Sequence, residues 1–258
     1  MTSIEVHLLP ALAPREQLVG RSVAVIDVLR ATTTIAAALD AGASEVVACL
    51  EIDDARRIAA GSDKCLLGGE RGGLPIEGFD LGNSPCEYTS SRVGGARVVF
   101  TTTNGTAAML HALSADLALL AAFTNRRAVV ETLRKAERIA ILCSGTRGEI
   151  TREDTLLAGL LVDDVLREST GASGPSLNDQ ARIARDAWRA VQSRYEGQVT
   201  AANLAGELAE TQGGLNLRAI GLTADIADAA ALDRHAIVPR LDLESATLFE
   251  ERAVRVRL

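Results

Sequence analysis

Short, continuously apolar runs recur along the chain at residues 23–26, 45–49, 65–67, 97–100, 117–121 and 139–142. Runs that do not alternate with polar positions suit strands covered on both faces. Between them lie stretches of helical pattern at 34–41, 53–60, 85–92, 106–113, 125–136 and 154–167. Strand and helix alternating through short connections predict an α/β fold, with a mostly parallel sheet held between helix layers. Residues 168–178, rich in Gly, Ser and Pro, break the pattern as a loop. Beyond it, 179–195 and 199–211 read as helices, the second ended by Gly213-Gly214. A short helix is expected at 225–232, and an edge strand at 235–241 because it contains Pro239. The charged tail 250–258 reads as peripheral. The whole chain, 1–258, reads as one unit, with a two-lobed arrangement about the 168–178 loop left open.

Composition narrows the picture. Aromatics are only 3% of residues, so the core must be aliphatic, which suits closely packed strand–turn–helix units. A net charge of −7 offers no basic surplus for a nucleic-acid partner. No apolar run is long enough to span a membrane, and residues 1–12 lack the pattern of a secretory leader. The four scattered cysteines form no disulfide or zinc pattern and read as reduced thiols, so a cytoplasmic setting is expected.

The candidate chemistry sits in the turns after the apolar runs. Asp27 directly follows one run, where open α/β sheets place their ligands, and leads through Arg30 into Thr32-Thr33-Thr34. That turn offers a metal-binding oxygen, a guanidinium fork for an anion and donors at a helix start. The competing reading, which the converging features outweigh, is that Asp27 caps that helix. In the glycine-rich stretch 68–85, Glu70 and Asp80 are hard oxygen donors suited to Mg²⁺, and Arg71 can hold an anion. At its end, Ser84-Pro85-Cys86-Glu87 reads as a capping box. Thr101 to Thr106, containing Thr103, Asn104 and Gly105, follows another run and can cradle an oxyanion. It echoes the Asp27 turn: both pass from an apolar strand through threonines into an Ala-rich helix. Asp154 divides evenly between metal ligand and helix cap. Cys143 with Arg147 resembles a cysteine-phosphatase loop, but the spacing is too short and Glu149 would repel a phosphate.

Taken together, VIDVLRATTT at 25–34, GERGG at 69–73, GFDLGNSP at 78–85, TTTNGT at 101–106, Cys143-Ser144-Gly145 and Glu153-Asp154 resemble the 2-phosphosulfolactate phosphatase family. Weaker similarity continues through GLTADI at 221–226 and Ile237-Val238-Pro239. The resemblance implies a three-layer α/β/α fold and Mg²⁺-dependent hydrolysis of 2-phospho-3-sulfolactate to 3-sulfolactate, on the route to coenzyme M. It agrees with the residue reading, in which Asp27, Arg30, Glu70 and Arg71 are the expected catalytic set, with Thr32, Thr33, Thr103, Asn104 and Gly105 around the phosphate. The expected Mg²⁺ ligands are Asp27, Glu70, Asp80 and Asp154. The implied partner is a small anionic phosphate ester, with homo-oligomerisation left open. A different small ester, or anion binding without turnover, are the competing readings.

Overall fold

The computed structural model describes residues 2–61, 64–167, 174–250 and 252–258. Its strands are β1 (Ser3–His7), β2 (Ser22–Ile26), β3 (Glu45–Cys49), β4 (Cys65–Arg71), β5 (Leu74–Pro75), β6 (Arg97–Thr101), β7 (Leu117–Ala121), β8 (Arg138–Cys143), β9 (Ser176–Leu177), β10 (Arg240–Asp242) and β11 (Ala253–Arg257). The helices are α1 (Ala31–Asp40), α2 (Ile52–Ala59), α3 (Ser90–Val93), α4 (Gly105–His111), α5 (Arg126–Leu133), α6 (Arg152–Arg167), α7 (Asp179–Arg194), α8 (Ala201–Ala209), α9 (Gln212–Ala219), α10 (Thr223–Ala229) and α11 (Ser245–Leu248).

The strands form one mixed sheet in the order β5-β4-β6-β3-β11-β10-β7-β2-β8-β1-β9. Strands β4, β6 and β3 run parallel to one another, as do β7, β2, β8, β1 and β9. The antiparallel β10–β11 pair joins the two groups. Helices cover both faces, giving the three-layer α/β/α arrangement and mostly parallel sheet that the sequence predicts. The apolar runs explain it: in β2, Val25 lies between Leu120 and Leu142, all three fully buried. One hydrophobic cluster holds residues of both parallel groups together with α1 and α4. The sheet therefore wraps around those two helices, and the turns after β2, β4 and β6 meet. A second cluster packs α5 through α10 on the other face.

Several expectations are corrected. The tail is not peripheral: β11 lies between β3 and β10, with Val254 and Val256 fully buried. Its alternating arginines disguise it, because Arg257 and Arg97 both pair with Glu45 on β3. Strand β10 is interior, not an edge. Pro239 is tolerated because it precedes the strand and contributes only its carbonyl, to Leu120 N–H at 2.9 Å. Strand β1 is additional to the expected set, beside β8. The expected helix at 85–92 is a 3₁₀ turn, Pro85–Glu87, followed by α3. No capping box forms there: Ser84 Oγ donates to Asp225, and Glu87 accepts from Gly82 N–H. Gly213 and Gly214 do not end a helix but open α9, capped by Thr211. A Cβ on Gly214 would overlap the Leu208 carbonyl, so close packing is what glycine permits there. Of the 168–178 loop, residues 168–173 lie outside the described residues, and Ser176–Leu177 pairs with β1.

Candidate active site

Strand β2 ends at Ile26, and Asp27 turns the chain toward α1. One carboxylate oxygen, Oδ1, accepts the Ala31 N–H at 3.2 Å, so Asp27 does cap the helix. The other, Oδ2, faces Gly105, where a Cβ would stand 2.6 Å away and 2.5 Å from Ala31 Cβ. Gly105 is thus the residue that lets the second Thr-rich turn close onto Asp27. Burial pushes the Asp27 carboxyl up to about 8, helped by the nearby charges of Asp154, Glu70 and Glu153.

Glu70, at the end of β4, ties the remaining turns together. Its Oε1 accepts Thr103 N–H at 3.0 Å and Thr103 Oγ1 at 3.3 Å, while Oε2 accepts Gly73 N–H at 2.6 Å. The preceding Gly69 has a φ of 131°, and a Cβ there would overlap the Thr101 carbonyl. Asn104 accepts the Arg147 N–H through Oδ1 at 3.2 Å, bringing in the turn after β8.

These turns enclose a cavity of about 280 Å³, walled by Asp27, Arg30, Glu70, Thr103, Asn104 and Arg147, and roofed by Asn216, Leu217 and Ile220 around α9. Of the expected residues, Asp27, Arg30, Glu70, Thr103 and Asn104 meet there, with Gly105 packed behind Asp27. Arg30 is almost fully buried, with one terminal nitrogen donating to Asp225 at 2.6 Å and the other to the Gly73 carbonyl at 2.7 Å.

The other expected residues do not line this cavity and are hydrogen-bonded within the fold. Thr32 shares its one hydroxyl proton between the carbonyls of Asp27 and Ala121, and Thr33 donates to that of Val28. Arg71 spends its donors on the Glu70 and Leu50 carbonyls and on Thr101 Oγ1. Asp80 accepts Leu67 N–H at 2.8 Å, which fastens the glycine-rich loop to β4. Asp154 accepts Val28 N–H at 2.9 Å, Gly145 N–H at 3.1 Å and Ser144 Oγ at 3.2 Å, bracing the turns after β2 and β8 from beneath. The four expected Mg²⁺ ligands are therefore not assembled as a set. Among the described residues no three acidic, His or Cys side chains converge as a metal cage.

Three residues outside the expected set belong to this region. Glu153 is buried beside Gly213, with its carboxyl pushed up to about 7 by burial and by Asp154, and its Oε2 has no hydrogen-bond partner. Asp225, on α10, is buried between Arg30 and Ser84. Arg147 stands exposed on the cavity wall. Cys143 is buried, and burial holds its thiol well above the usual range, which removes it as a nucleophile.

Comparison with known proteins matches residues 7–244 to the family described as 2-phosphosulpholactate phosphatase. The chain belongs to this family. A probable 2-phosphosulfolactate phosphatase of Symbiobacterium thermophilum is 40% identical over 88% of this chain and 93% of its own length. Proteins of the same name from Synechococcus sp. RCC307 and Pseudothermotoga lettingae are 40% and 39% identical, over 90% and 83% of this chain and 94% and 87% of their own. Membership makes the chain a phosphatase, a phosphoric monoester hydrolase. Among the described residues, no helix is long and apolar enough to cross a membrane.

Proposed function

We infer that this phosphatase is a cytoplasmic enzyme that hydrolyses 2-phospho-3-sulfolactate to 3-sulfolactate and phosphate, with Mg²⁺ held at Asp27 and Glu70. The observation that carries the reading is the meeting of two carboxylates from different strand ends, Asp27 and Glu70, in the lining of one cavity. Mg²⁺ needs only one or two carboxylates, keeping waters and substrate oxygens for the rest of its shell. The donors fit: both groups are hard oxygens, Asp27 Oδ2 is not the oxygen bonded to Ala31 N–H, and a cation would offset the burial and acidic neighbours that hold Asp27 against ionisation. Glu153, with its unpartnered oxygen, adds to the negative field without lining the cavity. When bound, the ion would neutralise phosphate oxygens and activate a water.

The protein's own groups supply position. Thr103 and Asn104 present a hydroxyl and an amide to the ester from the start of α4. Arg30, fixed by Asp225, gives the cavity wall a rigid guanidinium whose charge is already balanced. Leu217 and Ile220 add apolar surface to the cavity lining. Phosphoryl transfer is chiefly positioning and charge stabilisation, so such a site suffices without a protein nucleophile.

The sulfonated substrate is supported by the names of the relatives. Steady-state rates across 2-phospho-3-sulfolactate, phospholactate and phosphoglycolate test it. A kcat/KM highest for the sulfonated ester supports the reading, and a preference for either other ester rejects it.

A further inference from the structure

We propose that Arg147 is the specificity residue of this cavity: the cation that binds the second anionic group, carboxylate or sulfonate, of the ester. The proposal deepens the reading above and rests on it. Two arginines line the cavity. Arg30 is ion-paired with buried Asp225 and has its second terminal nitrogen on Gly73 O, so its charge is already matched within the protein. Among the described residues, Arg147 makes no side-chain hydrogen bond or ion pair. It is the uncompensated cation on the described walls.

The backbone shows that Arg147 is placed, not stray. Thr146 and Glu149 exchange both N–H···O bonds at 3.0 Å, closing a two-residue hairpin turn. Its central residues, Arg147 and Gly148, have φ of 54° and 77°. Turns with two left-handed residues favour Asn, Asp or Gly at both positions, and an arginine there works against backbone preference. Strain of this kind persists where the surroundings hold it and function uses it. Here the Arg147 N–H is held by Asn104 Oδ1, which registers the hairpin against the rim of the cavity.

The charge layout then sorts the ester. Asp27 and Glu70 both line the cavity, and with a cation between them they form its acid side. Arg147 reaches the cavity from a separate turn. An ester carrying anions at two places would set its phosphate toward the carboxylates, with their metal, and its other acid group on the guanidinium. A planar fork matches two oxygens of a carboxylate or sulfonate.

The test uses Arg147→Gly and Arg147→Lys. Glycine adopts positive φ freely, so Arg147→Gly should melt at or above the wild-type temperature. Its preference for 2-phospho-3-sulfolactate over isopropyl phosphate, as a ratio of kcat/KM, should fall about tenfold or more, mainly through KM, with partial recovery in Arg147→Lys. Equal losses on both esters, or an unchanged ratio, would overturn the assignment. Calorimetric binding of 3-sulfolactate gives a readout independent of turnover. Affinity at least about tenfold weaker in Arg147→Gly supports the proposal, and equal affinity refutes it. If the wild type cleaves neither ester yet the binding difference holds, the catalytic reading fails while the role of Arg147 stands.

Discussion

Asp27 is a carboxylate shut in among carboxylates, and that placement costs the free protein stability. Replacing it with Asn removes the buried acid but keeps the shape and the acceptor for Ala31 N–H. Asp27→Asn should therefore melt at or above wild type while kcat falls about 10³-fold or more. A large loss of stability with activity surviving in the folded fraction would reduce Asp27 to a helix cap. Gly105 carries the companion prediction. In Gly105→Ala the new methyl must displace Asp27 Oδ2 and Ala31 Cβ, at a cost of about 1–3 kcal/mol and a loss of activity. Urea melts and phosphate-release rates check both, and an alanine variant matching wild type in the two would show that the turns do not close on each other. Asp225 acts at the same scale. Asp225→Ala leaves Arg30 buried without its counter-charge and should cost about 3–5 kcal/mol by chemical denaturation. A cost below about 1 kcal/mol would mean that water or another acid reaches Arg30.

At the scale of elements, the strand–turn–helix units on either side of the site were legible, because a continuous apolar run followed by a polar turn admits few other structures. The echo between the turn after β2 and the turn after β6 also marked the two places whose meeting makes the cavity. What stayed hidden was tertiary in origin. Arg71 and Asp80 look like ligands by type, and only the fold shows that backbone carbonyls and an amide have claimed them. Gly213 looks like a helix stop, yet it lies in the first turn of α9 behind the Thr211 cap, where a Cβ would overlap Glu153. Strand β11 hides behind arginines whose partner, Glu45, is some two hundred positions away in the chain. Its importance is testable: deletion of residues 252–258 would leave β3 and β10 with unpaired edges inside the sheet. The shortened chain should lose its cooperative thermal transition, and a transition at the wild-type temperature would contradict the central place of β11.

Across the whole molecule, one acidic residue links three strands of the sheet. Burial alone would raise the Glu45 carboxyl, but hydrogen bonds from Arg257 and Arg97 outweigh it and hold the group below its ordinary range. A depressed folded value means stability that is present above the unfolded carboxylate pKa and lost as pH falls through the folded one. The stability gap between wild type and Glu45→Gln should thus be widest near pH 6 and close as pH drops below about 4. A gap independent of pH would show that the ion pairs do not carry it. The same joining of sheet halves brings the carboxyl ends of β2 and β4 to one cavity, and the functional account depends on that meeting. Phosphate release from 2-phospho-3-sulfolactate, measured with Mg²⁺ and with excess EDTA, tests it most directly. Release that requires Mg²⁺ and disappears in both Asp27→Asn and Glu70→Gln is the predicted result. Release that persists in EDTA, or in either variant at the wild-type rate, would contradict it.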